Sequence, residues 1–259
     1  MKAANALSGS MRKVSWAVSC KNDHNPMPYR RLPNTDKARI RSLEAAIGKM
    51  RNSDYYAPVL SPELFNKAEK KLIQFRDAAD RYTKALDTQV SYSKSDAYQT
   101  RLKNARMYVS HFITVFNLCV KRGEIKAQDR LFYALPEDMG ELPDLSSDIS
   151  VIRACENAIK GERTRTSRGG IPIYNPTIAK VNVHYDLFKE LYDKQCQLRQ
   201  LTEESLTVVS LMRPQIDEVI LEVWNSIEDY FSDLEGKKKM DACREYGLIY
   251  YYRTGEKAD

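Results

Sequence analysis

The chain has 259 residues and a mass of 29.9 kDa, enough for one large domain or two small ones with a proper core. Charged residues make up 29%, mean hydropathy is -0.56, and no run approaches the roughly 20 apolar residues that span a bilayer, so the composition speaks against a helical membrane protein. The formal charge of +6 is lopsided: residues 1–51 hold eleven Lys and Arg against three acids, a net of +8, and the remainder carries a net of -2.

Ten Gly, ten Pro and few alternating patterns point to an all-α fold. Five widely spaced Cys, with no C-x-x-C pair, fit a reduced, cytoplasmic protein without structural zinc or disulfides. Residues 1–33 show no sustained period and contain Gly9, Pro26, Pro28 and Pro33; they read as a basic N-terminal arm that needs a partner surface. Met11 to Cys20 imitates a short lipoprotein leader, but its apolar part is about half the usual length and Ser15 interrupts it. The remainder, 34–259, reads as a single helical-bundle domain.

A short helix begins after Asn34-Thr35, with Ile40, Leu43, Ile47 and Met50 on one face. From Ser61 to about Val90 the residues Phe65, Ala68, Leu72, Phe75, Ala79, Tyr82 and Leu86 recur at steps of three and four, one stripe of a long helix. Ser61 is placed to cap it, Pro62 suits its first position, and Leu60 is placed to staple against Phe65. The polar run Ser91 to Ser95 predicts a turn. Tyr98, Leu102, Ala105, Val109, Phe112, Phe116 and Cys119 then form a second stripe, closed by Lys121, Arg122 and Gly123. Two helices of similar length joined by a short turn predict an antiparallel hairpin.

Residues 136–170 read as a connector. It holds a short helical run at Val151 to Ile159, and Lys160 to Gly170 is expected to be an exposed basic loop. Pro172-Ile173-Tyr174-Asn175-Pro176 then repeats Pro58-Val59-Leu60-Ser61-Pro62, and a third helix follows with Ile178, Val181, Tyr185, Phe188 and Tyr192 on one side. A turn near Thr202 to Thr207 is expected to lead to a fourth helix carrying Ile216, Ile220, Val223, Ile227, Tyr230 and Leu234. Leu131-Phe132-Tyr133 and Ile249-Tyr250-Tyr251 are matching aromatic tails. The expectation is a four-helix bundle built from two duplicated antiparallel helical hairpins, repeat 1 at about 58–135 and repeat 2 at about 171–253, with the two tails placed to pair as a minor β-ribbon, although the 125–135 segment suits a helical turn as well.

No phosphate loop, nucleophile elbow or Cys-His nucleophile signature is present. His24, His111 and His184 lack the Glu three positions earlier that a di-iron bundle supplies, so no metal, cofactor or catalytic residue is expected. The sequence therefore predicts a non-enzymatic structural or protein-interaction protein, self-assembling through its arm or binding a protein partner and not a membrane. The alternative is a nucleic-acid-associated protein. Its contacts would come from Arg12, Lys13, Trp16, Tyr29, Arg30, Arg31, Lys37, Arg39 and Arg41, together with Arg163, Arg165 and Arg168, cations for phosphates and rings for bases.

Overall fold

The computed structural model describes residues 29–51, 59–136 and 140–252. Among them are seven helices and one two-stranded ribbon. In order these are β1 (Tyr29–Arg30), α1 (Asp36–Arg51), α2 (Pro62–Lys94), α3 (Asp96–Lys121), a 3-10 helix (Ala127–Tyr133), α4 (Asp148–Ser167), α5 (Ile178–Tyr230), α6 (Gly236–Glu245) and β2 (Tyr250–Tyr251).

The start of α2 is as expected: Ser61 is its N-cap and accepts the Leu64 N–H, with Pro62 at the first position. Leu60 is buried in the core that Phe65 also joins. The α3 stripe from Tyr98 to Phe116 is buried in full. The hairpin between these two helices is not formed. Only Ser95 separates them; its extended backbone and hydroxyl end α2, and its side chain caps α3 by accepting the Tyr98 N–H.

The direction of α3 follows from what each residue meets on α5. Lys67 reaches Glu222, Lys71 reaches Gln215, Tyr92 lies under Lys194, Tyr98 packs on Phe188 and Tyr108 stacks on His184. Partner numbers fall steadily as residue numbers climb past Ser95. Hence α3 carries on the way α2 was going, and the two together run antiparallel to α5.

The expected turn at Thr202–Thr207 is likewise absent, because α5 is one helix of 53 residues, about 80 Å at 1.5 Å per residue. Its Thr and Ser residues satisfy themselves inside the helix: Thr202, Ser205 and Thr207 each donate a hydroxyl to the carbonyl four positions earlier. Val181, Phe188, Gln195, Thr202, Val209, Ile216 and Val223, every seventh residue, are all buried, and a strict seven-residue repeat of this kind favours left-handed winding of helix on helix. Pro214 lies inside α5 on its exposed side, where the missing N–H costs one helical bond.

Two separate cores result. One joins α1, the first half of α2, the last third of α5 and α6 around Trp224, Phe75 and Leu43; the other joins α3, α4, the start of α5 and the 3-10 helix around Phe112, Phe116 and Phe188. Between them lies a waist of α2 and α5 alone. There the α5 seam residues are the polar Gln195 and Thr202.

The ribbon also differs from expectation. Tyr250 and Tyr251 pair antiparallel with Arg30 and Tyr29, not with the 131–135 segment. That segment ends the 3-10 helix instead, and Tyr133 turns inward to donate its hydroxyl to Glu162.

Candidate functional site

The basic residues singled out by the sequence fall into two groups at opposite ends of the rod. Arg12, Lys13 and Trp16 lie outside the described residues. In the first lobe Arg30 pairs with Glu228 at 3.2 Å and donates to Asn225 at 2.8 Å. Arg39 clamps Asp217 with two bonds of 2.8 and 3.0 Å and also faces Asp36. These two guanidiniums are engaged in holding α1 and the ribbon to α5. Arg31, Lys37 and Arg41 are exposed, and Tyr29 packs on Tyr251.

In the second lobe the expected exposed loop at 160–168 is the last part of α4. Thr164 and Thr166 donate back to the carbonyls of Lys160 and Glu162, and the exposed expectation fails most clearly at Arg165, 4% exposed, and Glu162, 1% exposed. Arg165 donates to both Glu162 oxygens, to the Tyr133 hydroxyl at 3.0 Å and to the Ile171 carbonyl at 2.8 Å. Glu162 also accepts the Ile173 N–H at 3.0 Å. Both Glu162 oxygens and the Nε and Nη2 of Arg165 are engaged, as charges out of water require. Its work is to strap the segment before α5 onto α4. Arg163 is exposed, and Arg168 lies 4.6 Å over the Phe132 ring.

Beside that strap is a cleft of about 930 Å³ between the α3 end, the 3-10 helix and residues 168–175. Arg165, Arg168, Lys126, Glu124 and Asp129 line it with Cys119, Phe132 and Ile171. Burial and a hydrogen bond to Glu124 hold the Cys119 thiol above its ordinary value, so it is a poor nucleophile. His184 stacks 4.0 Å from Tyr108; burial, then Arg101, lower its pKa. Its ring is therefore a neutral packing element. Among the described residues no group of three or more His, Cys, Asp or Glu is arranged to hold a metal ion.

A second concavity lies at the waist, a groove of about 600 Å³ between α2 and α5. Its floor is Ala78, Val208 and Met212, and Lys71, Asp77, Arg81 and Glu204 stand at its rim. Next to it Leu201 and Leu211 are 54% and 67% exposed. Each lobe covers its long-helix pair with a short helix, α1 or α4; nothing among the described residues covers the waist on this side. The sequence hid this surface, because a turn was expected at Thr202 to Thr207, where α5 runs on without a break.

No protein-family model matches the chain, and no curated protein or solved structure matches it either. No helix among the described residues is long and apolar enough to cross a membrane.

Proposed function

We propose that this chain is a non-enzymatic structural or protein-interaction protein, a two-lobed helical rod that binds a protein partner or another copy of itself. The observation that carries the reading is the uncovered apolar surface at the waist, where Leu201, Val208 and Leu211 are exposed at or beside a groove of about 600 Å³. A cytoplasmic setting accords with the thiols: Cys119, Cys155, Cys196 and Cys243 are all free.

The same reading includes a duplication, with a unit different from a hairpin. Asp36, Leu43 and Ala46 of α1 stand 112 residues before Asp148, Cys155 and Ala158 of α4. Ala68, Leu72 and Phe75 of α2 stand 113 before Val181, Tyr185 and Phe188 of α5, and Tyr98, Leu102, Ala105 and Val109 stand 118 before Ile216, Ile220, Val223 and Ile227. Each copy is then a short helix followed by a long one, broken at Ser95 in the first and continuous in the second.

The alternative, nucleic-acid association, keeps Arg31, Lys37, Arg41, Arg163 and Arg168 as exposed cations, but at two ends of a long rod instead of on one track. Titration of duplex and single-stranded DNA against the full chain at low and moderate salt decides between them. The protein-interaction reading expects weak binding that charge reversal at Arg31, Lys37 and Arg41 leaves unchanged. Tight binding that falls steeply with salt and is lost in that variant would overturn it. Deleting residues 1–51 is unsuitable, since it would remove Leu43, Ala46 and Ile47 from the core.

A further inference from the structure

Five of the seven exposed large apolar side chains of α5 share one line, with Leu221 and Tyr230 off it. Val183, Leu187, Leu201, Val208 and Leu211 are exposed large hydrophobics, and they fall on a second stripe at steps of three and four that also passes through Glu190, Lys194, Gln197, Glu204, Gln215 and Glu218. Beyond Val183, which lines a cleft with Ile159 and Arg163 of α4, this stripe turns away from α1 and α4. Residues Asp217 and Trp224, which meet α1, and Tyr185, which meets α4 at Glu156, sit on the opposite flank. A helix that carries two such stripes is built to pack against two neighbours. The first stripe meets the α2–α3 pair, with α1 and α4 beside it; the second touches α2 at Lys194 and Gln215, and among the described residues no further helix lies over it.

The charges on the second stripe say what the missing neighbour is. Both lysines, Lys180 and Lys194, lie in its first half together with Glu190; the glutamates Glu204 and Glu218 occupy its second, with leucines between. A copy of the same helix laid antiparallel meets this order in reverse. One register brings its unlike charges together: Lys180 faces Glu218 of the second copy, Leu187 faces Leu211 and lies beside Val208, and Lys194 faces Glu204, while Glu190 faces Val208 and Gln197 faces Leu201. Each pair occurs twice across the two-fold axis, as an isologous contact requires. A parallel arrangement would set lysine on lysine and glutamate on glutamate.

We propose that two copies of this chain associate antiparallel through the waist, the second stripe of α5 of each lying on that of the other, with α2 of each flanking the contact. The four-helix arrangement anticipated within one chain is then completed between two. The proposal rests on the protein-interaction reading above and deepens it. A chain that stays monomeric overturns this proposal and leaves a different protein as the partner; salt-sensitive DNA binding overturns that reading and leaves the dimer to be judged by its own test.

The test is sedimentation velocity of the full chain up to concentrations on the order of 100 µM. A reversible dimer is expected. Leu211→Glu weakens it by at least about tenfold, Lys194→Glu by about tenfold, and the double exchange Lys194→Glu with Glu204→Lys restores it to within about twofold. Leu211, Lys194 and Glu204 are all exposed, and circular dichroism is expected to show unchanged helicity in each monomeric variant, with melting lowered slightly only where Lys194 leaves the Tyr92 ring. A chain that is monomeric at the highest concentration overturns the proposal, whether the groove is left open or covered by another segment of the same chain. A dimer that ignores Leu211→Glu, or one that the double exchange fails to restore, overturns it as well.

Discussion

Trp224 donates its indole N–H to the hydroxyl of Ser42 at 3.2 Å, joining α5 to α1 in the middle of the first core. The indole is fully buried and the serine is 4% exposed. Ser42→Ala leaves that N–H without a partner, and an orphaned buried donor costs about 1–3 kcal/mol. The expected outcome is a melting temperature lower by several degrees with near-native helicity, read by thermal denaturation. An unchanged melting temperature would show that water or a neighbour replaces the hydroxyl.

Glu162 and Arg165 form a buried pair with Tyr133 and two backbone groups. Removing one charge strands the other, so Glu162→Leu and Arg165→Leu are each expected to cost about 3–5 kcal/mol. The double Leu variant is expected to cost clearly less than the sum of the two. Denaturant unfolding of all four proteins measures this coupling, and simple additivity would contradict it.

Gly161 lies within α4, where Ala would ordinarily stabilise a helix by about 1 kcal/mol. A Cβ here would stand 2.6 Å from two Tyr133 ring carbons and 2.9 Å from the Phe132 carbonyl oxygen. The clash outweighs propensity, since forcing atoms into a packed site costs about 1–3 kcal/mol. Gly161→Ala is expected to destabilise. Gly48→Ala, whose Cβ meets nothing within 4 Å, is expected to stabilise, and equal effects of the two would refute the packing argument.

Burial pushes the Cys155 thiol up to about 12 from an ordinary 9.0. Burial and then hydrogen bonds to Asp148, Glu162 and Glu228 raise the hydroxyls of Tyr98, Tyr133 and Tyr250 above their ordinary 10.0. All four are held neutral in the fold and ionise more easily in the unfolded chain. Their contribution is therefore complete below pH 9 and is lost as pH rises from there through 12. Unfolding midpoints measured along that range are expected to fall steadily, and Cys155 is expected to resist thiol reagents until the chain unfolds. A flat profile would show that these groups titrate normally.

Gln195 occupies a seam position of α5 at 1% exposure, and its Oε1 has no hydrogen-bond partner. Replacing an unsatisfied buried amide by an apolar side chain of similar length recovers about 1 kcal/mol or more. Gln195→Leu is expected to raise the melting temperature. A loss of stability would mean that the amide is satisfied by water entering the waist.

Much of this architecture was legible locally. The stripes at three and four steps located α2, α3 and both halves of α5, Ser61 and Pro62 gave the start of α2, and the turn at Lys121 to Gly123 gave the end of α3. The candidate surface was not legible. Leu201 and Leu211 look like any core leucine in a helical pattern, and Arg165 looks like any basic residue near Gly169-Gly170.

What the sequence determined by itself is where helices form and which side of each is apolar, because capping, propensity and periodicity act within a few residues. Tertiary structure alone decided where they point. Ser95 interrupts the helix but does not set an angle, and Thr202 to Thr207 can serve a turn or a helix equally well. Both were settled by α5, whose buried face continues unbroken from Val181 to Ile227 and offers α2 and α3 one surface only if they follow each other along it.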